Sequence, residues 1–454
     1  MHNIKIERMK KLHKILIIIG SIVLVAVLAF GYMIYKITHG DEKISGKNGS
    51  IPSPVASIPL VTKGTADWPN WRGLKFDGKS TFKGIRTDWK GGLKKLWQVD
   101  YLCQGNSSAT WSTPVIQGNR LVVTGRDENN DYVFCLNAET GDLLWKGSYK
   151  AEAVSSHGEG SRATPFIDNG FVYTLGRSGD VACWKLDDGK LTWKQNVKDL
   201  GGKEPEWGFS TTPLVLGNNV IVQGGGEALV VAYNKTDGKL LWKSMQGDAG
   251  YTATIPVTVG SDTLIFVYHG KGLSLMNPSD GKEFWRAPWE TSYCVNATTP
   301  IVENDIVFHS SGYGMGSEAL KFTKEGYKVL WKSKVIAAQH SDPILIDGYL
   351  YSYSGESSRK KGQFKCVELA TGKEMWSTDK VSQGTTTNVD GHLICFDISG
   401  NAYLVKPNPK SFELAGKIKS AIEGVKNPVW TAPVVANGKL YLRHLQHLVC
   451  YGLN

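Results

Sequence analysis

Hydrophobic positions along this chain follow two patterns. Residues 15–35, ILIIIGSIVLVAVLAFGYMIY, are 21 consecutive positions without a charge. At ~1.5 Å of rise per residue such a helix spans the ~30 Å hydrocarbon core of a bilayer. Further along, apolar residues come in short β-type runs, as in PVIQ, RLVVTG, YVFCLNA and LLWKGSY between Pro114 and Tyr149. The first and second runs of a unit are joined by Gly118-Asn119, Asn169-Gly170, Asp347-Gly348, Asp390-Gly391 or Asn437-Gly438, and the third and fourth by Thr-Gly or Asp-Gly. Such pairs supply the positive φ that tight turns between right-twisted strands require, so each unit predicts four antiparallel strands.

The unit repeats. A Gly followed after a few residues by Trp recurs at Trp145, Trp193, Trp242, Trp285, Trp331 and Trp376, with a looser copy at Trp97, at spacings of 48, 48, 49, 43, 46 and 45. An offset series marks the first strand of each unit at Pro114, Pro165, Pro213, Pro256, Pro300, Pro343 and Pro433, with Asn388 of TTTN filling the remaining place. The unit that starts at Pro433 ends at Asn454 after three strands, and Leu93–Asp100 supplies the missing one. Residues 93–454 then give about 45 residues for each of eight units. The expectation is an all-β fold, an eight-bladed β-propeller of four-stranded antiparallel blades preceded by one N-terminal transmembrane helix. Closing the ring removes open sheet edges. Each Trp is expected at the rim, filling the gap to the next blade and donating its indole N–H to a neighbouring backbone carbonyl.

Charge orients the apolar run. Net charge is +10, and residues 1–14 carry +4 of it through Lys5, Arg8, Lys10, Lys11 and Lys14 against Glu7. Basic flanks stay on the cytoplasmic side. The reading is a cytoplasmic basic segment at 1–14, a retained signal-anchor helix at 15–35, a flexible linker at 36–66, a lead-in strap at 67–92 and the propeller at 93–454. That places a single-pass protein in the inner (cytoplasmic) membrane, with its propeller in the periplasm or otherwise outside the cytoplasm. A cleavable signal peptide is the rival reading of the apolar run. Charge on the remaining 440 residues is mild, so no nucleic-acid partner is expected.

Seven cysteines cannot form a fully paired framework. Cys135, Cys183 and Cys366 each precede a blade Trp by ten residues, where other blades have Ala232 and Leu275, which marks a packing slot. The run Arg359-Lys360-Lys361 reads as a solvated turn. Loops leading into the first strands line one mouth of the channel, where ligands collect. They offer His157, Glu159 and Arg162 in blade two, His340 and Asp342 across the axis in blade six, and Trp111, Trp207 and Trp430 in blades one, three and eight. These are the candidate ligand residues; the competing reading is that they pin loops and hydrate the channel. No His-Glu-x-x-His, Gly-x-Ser-x-Gly or phosphate loop is present, and no catalytic or metal-binding residue is assigned.

The Thr/Asp-Gly-Lys-x-x-Trp hairpin with its inner Thr/Ser-x-Pro marker resembles the PQQ-type propeller family over about residues 93–454. That family includes the quinoprotein alcohol dehydrogenases and the periplasmic assembly factor BamB. DWPNWRG (Asp67–Gly73) with DGKS (Asp77–Ser80) is similar to the lead-in of exported members. The resemblance implies two functions. Quinoprotein dehydrogenases hold PQQ over the channel with an adjacent Cys-Cys pair and a calcium cluster, and this chain has no Cys-Cys pair. The leading expectation is therefore a membrane-anchored, BamB-like binding scaffold or assembly factor, with no cofactor. Its partners would be other envelope or membrane proteins, besides the bilayer around residues 15–35. The alternative is an oxidoreductase or small-ligand propeller using PQQ with calcium.

Overall fold

The computed structural model describes residues 2–38, 49–55, 58–152, 157–355, 362–425 and 428–454. One helix, His2–Thr38, takes in both the basic segment and the apolar run. Its stretch His13–Gly31 is long and apolar enough to cross a membrane, and those side chains are exposed in the isolated chain.

Eight sheets follow, one per predicted blade. Blade one consists of Val115–Gln117, Arg120–Arg126, Asn130–Asn137 and Leu143–Lys150, paired in that order and antiparallel throughout. Blades two to six repeat the order. Blade eight pairs Lys95–Val99 with His447–Gly452, Gln98 opposite Val449, so the first propeller strand lies beside the last. Its inner strands are Val434–Ala436 and Lys439–His444. The ring closes as the two marker series predict. In every blade the innermost strand runs from the mouth, where the lead loops gather, to the opposite face, where a tight turn, Asx-Gly in blades two, six, seven and eight, leads into the second strand; we call this the turn face.

The rim tryptophans lock neighbours together. Trp97, Trp145, Trp193, Trp242, Trp285, Trp331 and Trp376 donate their indole N–H to Ala138, Leu186, Lys235, Pro278, Thr323, Leu369 and Asn408 carbonyls of the next blade, at 2.7–3.2 Å. The recurrent Gly serves both its own turn and the Trp of the preceding blade. At Gly141 φ is +78°, and an added Cβ would stand 2.7 Å from the Trp97 ring; at Gly189 φ is +71° and the gap to Trp145 is 2.4 Å. Four cysteines pair across the sheet with a rim Trp: Cys135, Cys183, Cys366 and Cys450. All seven thiols are free and all but Cys294 are buried; burial pushes the Cys366 thiol up to about 11.

Blade seven departs from the repeat in two ways. It has no rim Trp: Gly416 stands opposite Leu404 at that register. Trp89, buried, fills the slot instead, and a Cβ on Gly416 would lie 2.7 Å from it. The blade also has five strands, because Lys79–Ser80 adds to Gly384–Val389 in parallel on the channel side. Both additions come from residues 67–92, which cross the turn face. Trp68 bridges Ile116 of blade one, Arg72 reaches blade six, Lys79 reaches blade seven, and Arg86 N–H donates to Leu453 O of blade eight.

The described part of the segment read as a tether lies along blade one. Val55 N–H donates to Leu143 O, Val61 N–H to Asn119 Oδ1, and Arg120 Nη2 to Ile58 O. Residues 39–48 and the basic run Arg359-Lys360-Lys361 lie outside the described residues.

Candidate functional site

The residues just before each innermost strand build the channel wall. Blades one, two, three, five and seven place Thr113, Thr164, Thr212, Thr299 and Thr387 at the same marker position. These make a belt between blades: Thr113 N–H donates to Thr164 Oγ1 at 3.1 Å, and Thr387 Oγ1 to Pro433 O. Blade six has Asp342 at this position. Its Oδ1 keeps the belt by accepting Thr299 N–H at 2.7 Å, which leaves Oδ2 facing the axis.

Oδ2 is met by the strap. Arg72 Nη1 lies 3.0 Å away, and the two side chains are 4% and 5% exposed. Trp71 Nε1 donates to the same oxygen at 3.2 Å and to Thr299 Oγ1 at 2.9 Å. The other Arg72 donors are also used: Nε to Phe76 O, and Nη2 to Asp77 O and Pro343 O. A buried ion pair persists only when its remaining hydrogen-bonding positions are filled, as they are here.

The mouth is filled differently, by rings. Trp111 and Trp430 lie 4.5 Å apart, His340 stacks on Trp430 at 5.0 Å, and His157 meets Trp430 edge-on at 5.5 Å. Trp207 continues the cluster 6.4 Å from His157, followed by Tyr251 and Tyr293 at 5.7 and 5.3 Å. Burial, with lesser help from His157 and Arg162, pushes His340 down to about 3. Between the strap and these rings remains a cavity of about 10 Å³, lined by Trp71, Arg72, Thr113, His340, Asp342 and Thr386 among others. That is room for about one water.

The candidate residues therefore separate. Trp111, His157, Trp207, His340 and Trp430 meet at the mouth. Asp342 belongs to the strap contact, and His340 alone joins the two levels by also lining the cavity. Arg162 donates to the carbonyls of His157, Gly158 and Gly160 of its own loop. Glu159 faces Arg126 at 3.6 Å, beside a stronger Arg126–Asp131 pair at 2.8 Å. Burial outweighs Arg126 and raises Asp131 to about 6. Sequence reading missed Trp68, Trp71 and Arg72 as channel residues. The signal was present in the lone acid among the marker threonines, which needs a cationic partner once buried.

The geometry gives a quinone little to work with. Rings and strap approach the axis from both ends, and the cavity described between them is far smaller than a tricyclic cofactor. Among the described residues no group of three or more His, Cys, Asp or Glu could hold a metal ion. The residues present do not fit PQQ with calcium.

Comparison with known proteins adds the lineage. Residues 90–170 and 155–378 match a family described as outer membrane protein assembly factor BamB. A BamB of Moranella endobia is 23% identical over 274 residues, 57% of this chain and 65% of that protein, so the match spans just under two thirds of that relative. Among solved structures, BamB from Moraxella catarrhalis superposes with TM-score 0.56 at 14% identity, covering 79% of this chain and 97% of that one. Quinohemoprotein alcohol dehydrogenase from Comamonas testosteroni gives 0.62 at 13%, covering 86% and 81%. At these identities the two structures speak for the fold alone.

Proposed function

Since the chain belongs to the family described as outer membrane protein assembly factor BamB, we propose that it is a membrane-tethered, extracytoplasmic scaffold that binds other envelope proteins through the faces of its ring. The channel carries this reading. Between the strap and the mouth rings the chain's own residues leave a cavity with room for about one water. Recognition then falls to the mouth, the rim and the turn face, which together offer broad surfaces of the size protein partners need. The apolar stretch His13–Gly31 would hold the protein in the inner membrane, and the basic residues before it would keep the N-terminus in the cytoplasm.

The test is crosslinking in intact cells followed by identification of what the propeller holds. Capture of the same envelope proteins by wild type, and not by a chain carrying only the helix, is expected. The oxidoreductase alternative makes the opposite forecast. Purified protein supplied with PQQ and calcium would gain quinone absorbance and dye-linked alcohol oxidation, and that result would overturn the scaffold reading.

A further inference from the structure

Only blades one and three place Leu-Leu directly before the rim Trp, as Leu143-Leu144 and Leu240-Leu241. The two pairs hold the same register. Leu143 stands opposite Leu136 and Leu240 opposite Tyr233, and a bulge follows each. Alike in sequence and register, the pairs differ in exposure: Leu143 and Leu144 are 1% and 9% exposed, whereas Leu240 and Leu241 are each 44% exposed.

The cause is a cover on blade one. Ile51 packs on the cluster that holds Leu143, and Ile58 and Leu60 pack on the one that holds Leu144. Val55 N–H donates to Leu143 O at 2.8 Å, so the cover also meets the strand edge through the main chain. Blade three has no such cover among the described residues. Its strand Leu240–Ser244 is the outermost of its sheet, and no described main-chain N–H from outside the sheet reaches the Leu240 carbonyl. Single exposed apolar residues are ordinary on a protein surface. Here, by contrast, the chain covers an edge in one blade and leaves its counterpart open in another, with both apolar side chains and an unpaired carbonyl on offer.

We propose that the outer edge of blade three docks an extended apolar segment of a partner envelope protein, which rests on the scaffold reading above. Blade one shows the chemistry that fits. Aliphatic side chains two positions apart, as at Ile58 and Leu60, lie over the Leu pair, and one main-chain N–H is donated to the carbonyl of the first Leu. The same strand of a second copy is a poor occupant. Laid antiparallel and centred on Leu241, it would set Lys239 of each copy against Lys243 of the other, and like charges directly opposite disfavour pairing.

The experiment is titration of the full chain in detergent with a fluorescent synthetic peptide of residues 49–62, read by anisotropy. The chain's own copy of that segment keeps blade one occupied, because its covalent link holds it there at high effective concentration. Saturable binding at blade three is expected. Leu241→Lys should weaken it about tenfold or more, and Leu240→Lys likewise. Both side chains are exposed, so melting temperatures should match wild type. Leu330→Lys, at the equivalent place in blade five where the pair is Val329-Leu330, should leave binding unchanged. No binding by wild type, or undiminished binding by Leu240→Lys and Leu241→Lys, overturns the docking edge. So does an equal loss from Leu330→Lys, which would make the binding a general property of the rim. Dimerisation of the wild type that Leu241→Lys abolishes overturns it too, since the occupant would be a second copy. If the peptide fails while crosslinking still captures envelope proteins, the edge is wrong and the scaffold stands. If the peptide binds at blade three but crosslinking captures none, the scaffold reading falls and the proposed partner with it.

Discussion

From the turn face one continuous segment, residues 67–80, reaches into the channel and closes the axis with a charged pair, 3.0 Å apart, whose side chains are joined by further hydrogen bonds. At the mouth, side chains from seven blades close the same axis with tilted rings 4.5–6.4 Å apart, several half exposed and two of the clustered residues, His157 and Tyr293, at positive φ. The first is a latch: a saturated polar network has one good arrangement and a steep cost for any other. The second is adaptable, because ring packing is tolerant of small tilts and shifts. A scaffold that must hold its shape and still receive a partner would put rigidity and adaptability on opposite faces.

The latch gives the largest expected effect. Arg72→Ala leaves Asp342 buried without its cation and should cost about 3–5 kcal/mol in chemical denaturation. Pairing Arg72→Met with Asp342→Asn, which keeps an acceptor for Thr299 N–H, should recover much of that loss. A double variant as unstable as Arg72→Ala would mean that packing of the strap, not its charge, closes the turn face.

Trp89→Ala comes next. Trp89 is 2% exposed and occupies the slot left by Gly416, so truncation should cost about 3–4 kcal/mol through transfer and cavity terms. Native-state hydrogen exchange should show the loss concentrated in blades seven and eight. If protection falls evenly around the ring instead, the strap contributes to general stability and does not complete one blade.

How far the sequence foretold these two faces differs for a physical reason. The blade count, the closing strand Lys95–Val99 and the rim indoles were legible because each rests on a motif written seven or eight times, so one aberrant copy such as TTTN does not spoil the pattern. The strap is written once. Arg72 and Asp342 are 270 residues apart, and no periodicity links them. Only the exceptions to the repeat pointed there: an acid among threonines at Asp342, and a blade with Gly416 where others have Trp. The mouth was half legible. Loop position brought Trp111, His157, Trp207 and His340 together, but nothing in the sequence distinguished these from Glu159, which faces Arg126 of blade one, and Arg162, which donates to carbonyls of its own loop.

Acid should distinguish the faces further. His340 is held neutral at the mouth, its folded pKa of about 3 lying below the unfolded value. A depressed histidine contributes stability above its unfolded pKa of about 6.5 and loses it as pH falls toward the folded value. By pH 5 the loss reaches roughly 2 kcal/mol. His340→Phe keeps a ring against Trp430 and removes the titration, so the stability difference between variant and wild type should shift in the variant's favour between pH 7 and 5. A parallel pair of pH profiles would mean that His340 gains water and a proton without disturbing the mouth.

Arg162 should show the smallest effect. It and Asp342 are both candidate ligand residues by sequence, yet the structure gives them different surroundings. Asp342 meets a buried guanidinium, whereas Arg162 is half-buried and donates at 3.2–3.3 Å to carbonyls two to five residues away in its own loop. Water can take over such carbonyls when the side chain is removed, so the loss of these three hydrogen bonds in Arg162→Ala should cost only about 1 kcal/mol. Asp342→Ala should cost several times more, because it strands Arg72 and the Thr299 N–H together. Equal losses from the two would dissolve the distinction between a fixed turn face and an adaptable mouth. An Arg162 loss near 1 kcal/mol, with faster proteolytic nicking of the blade-two lead loop and no change at the strap, would locate the pliable part of the ring on the mouth side.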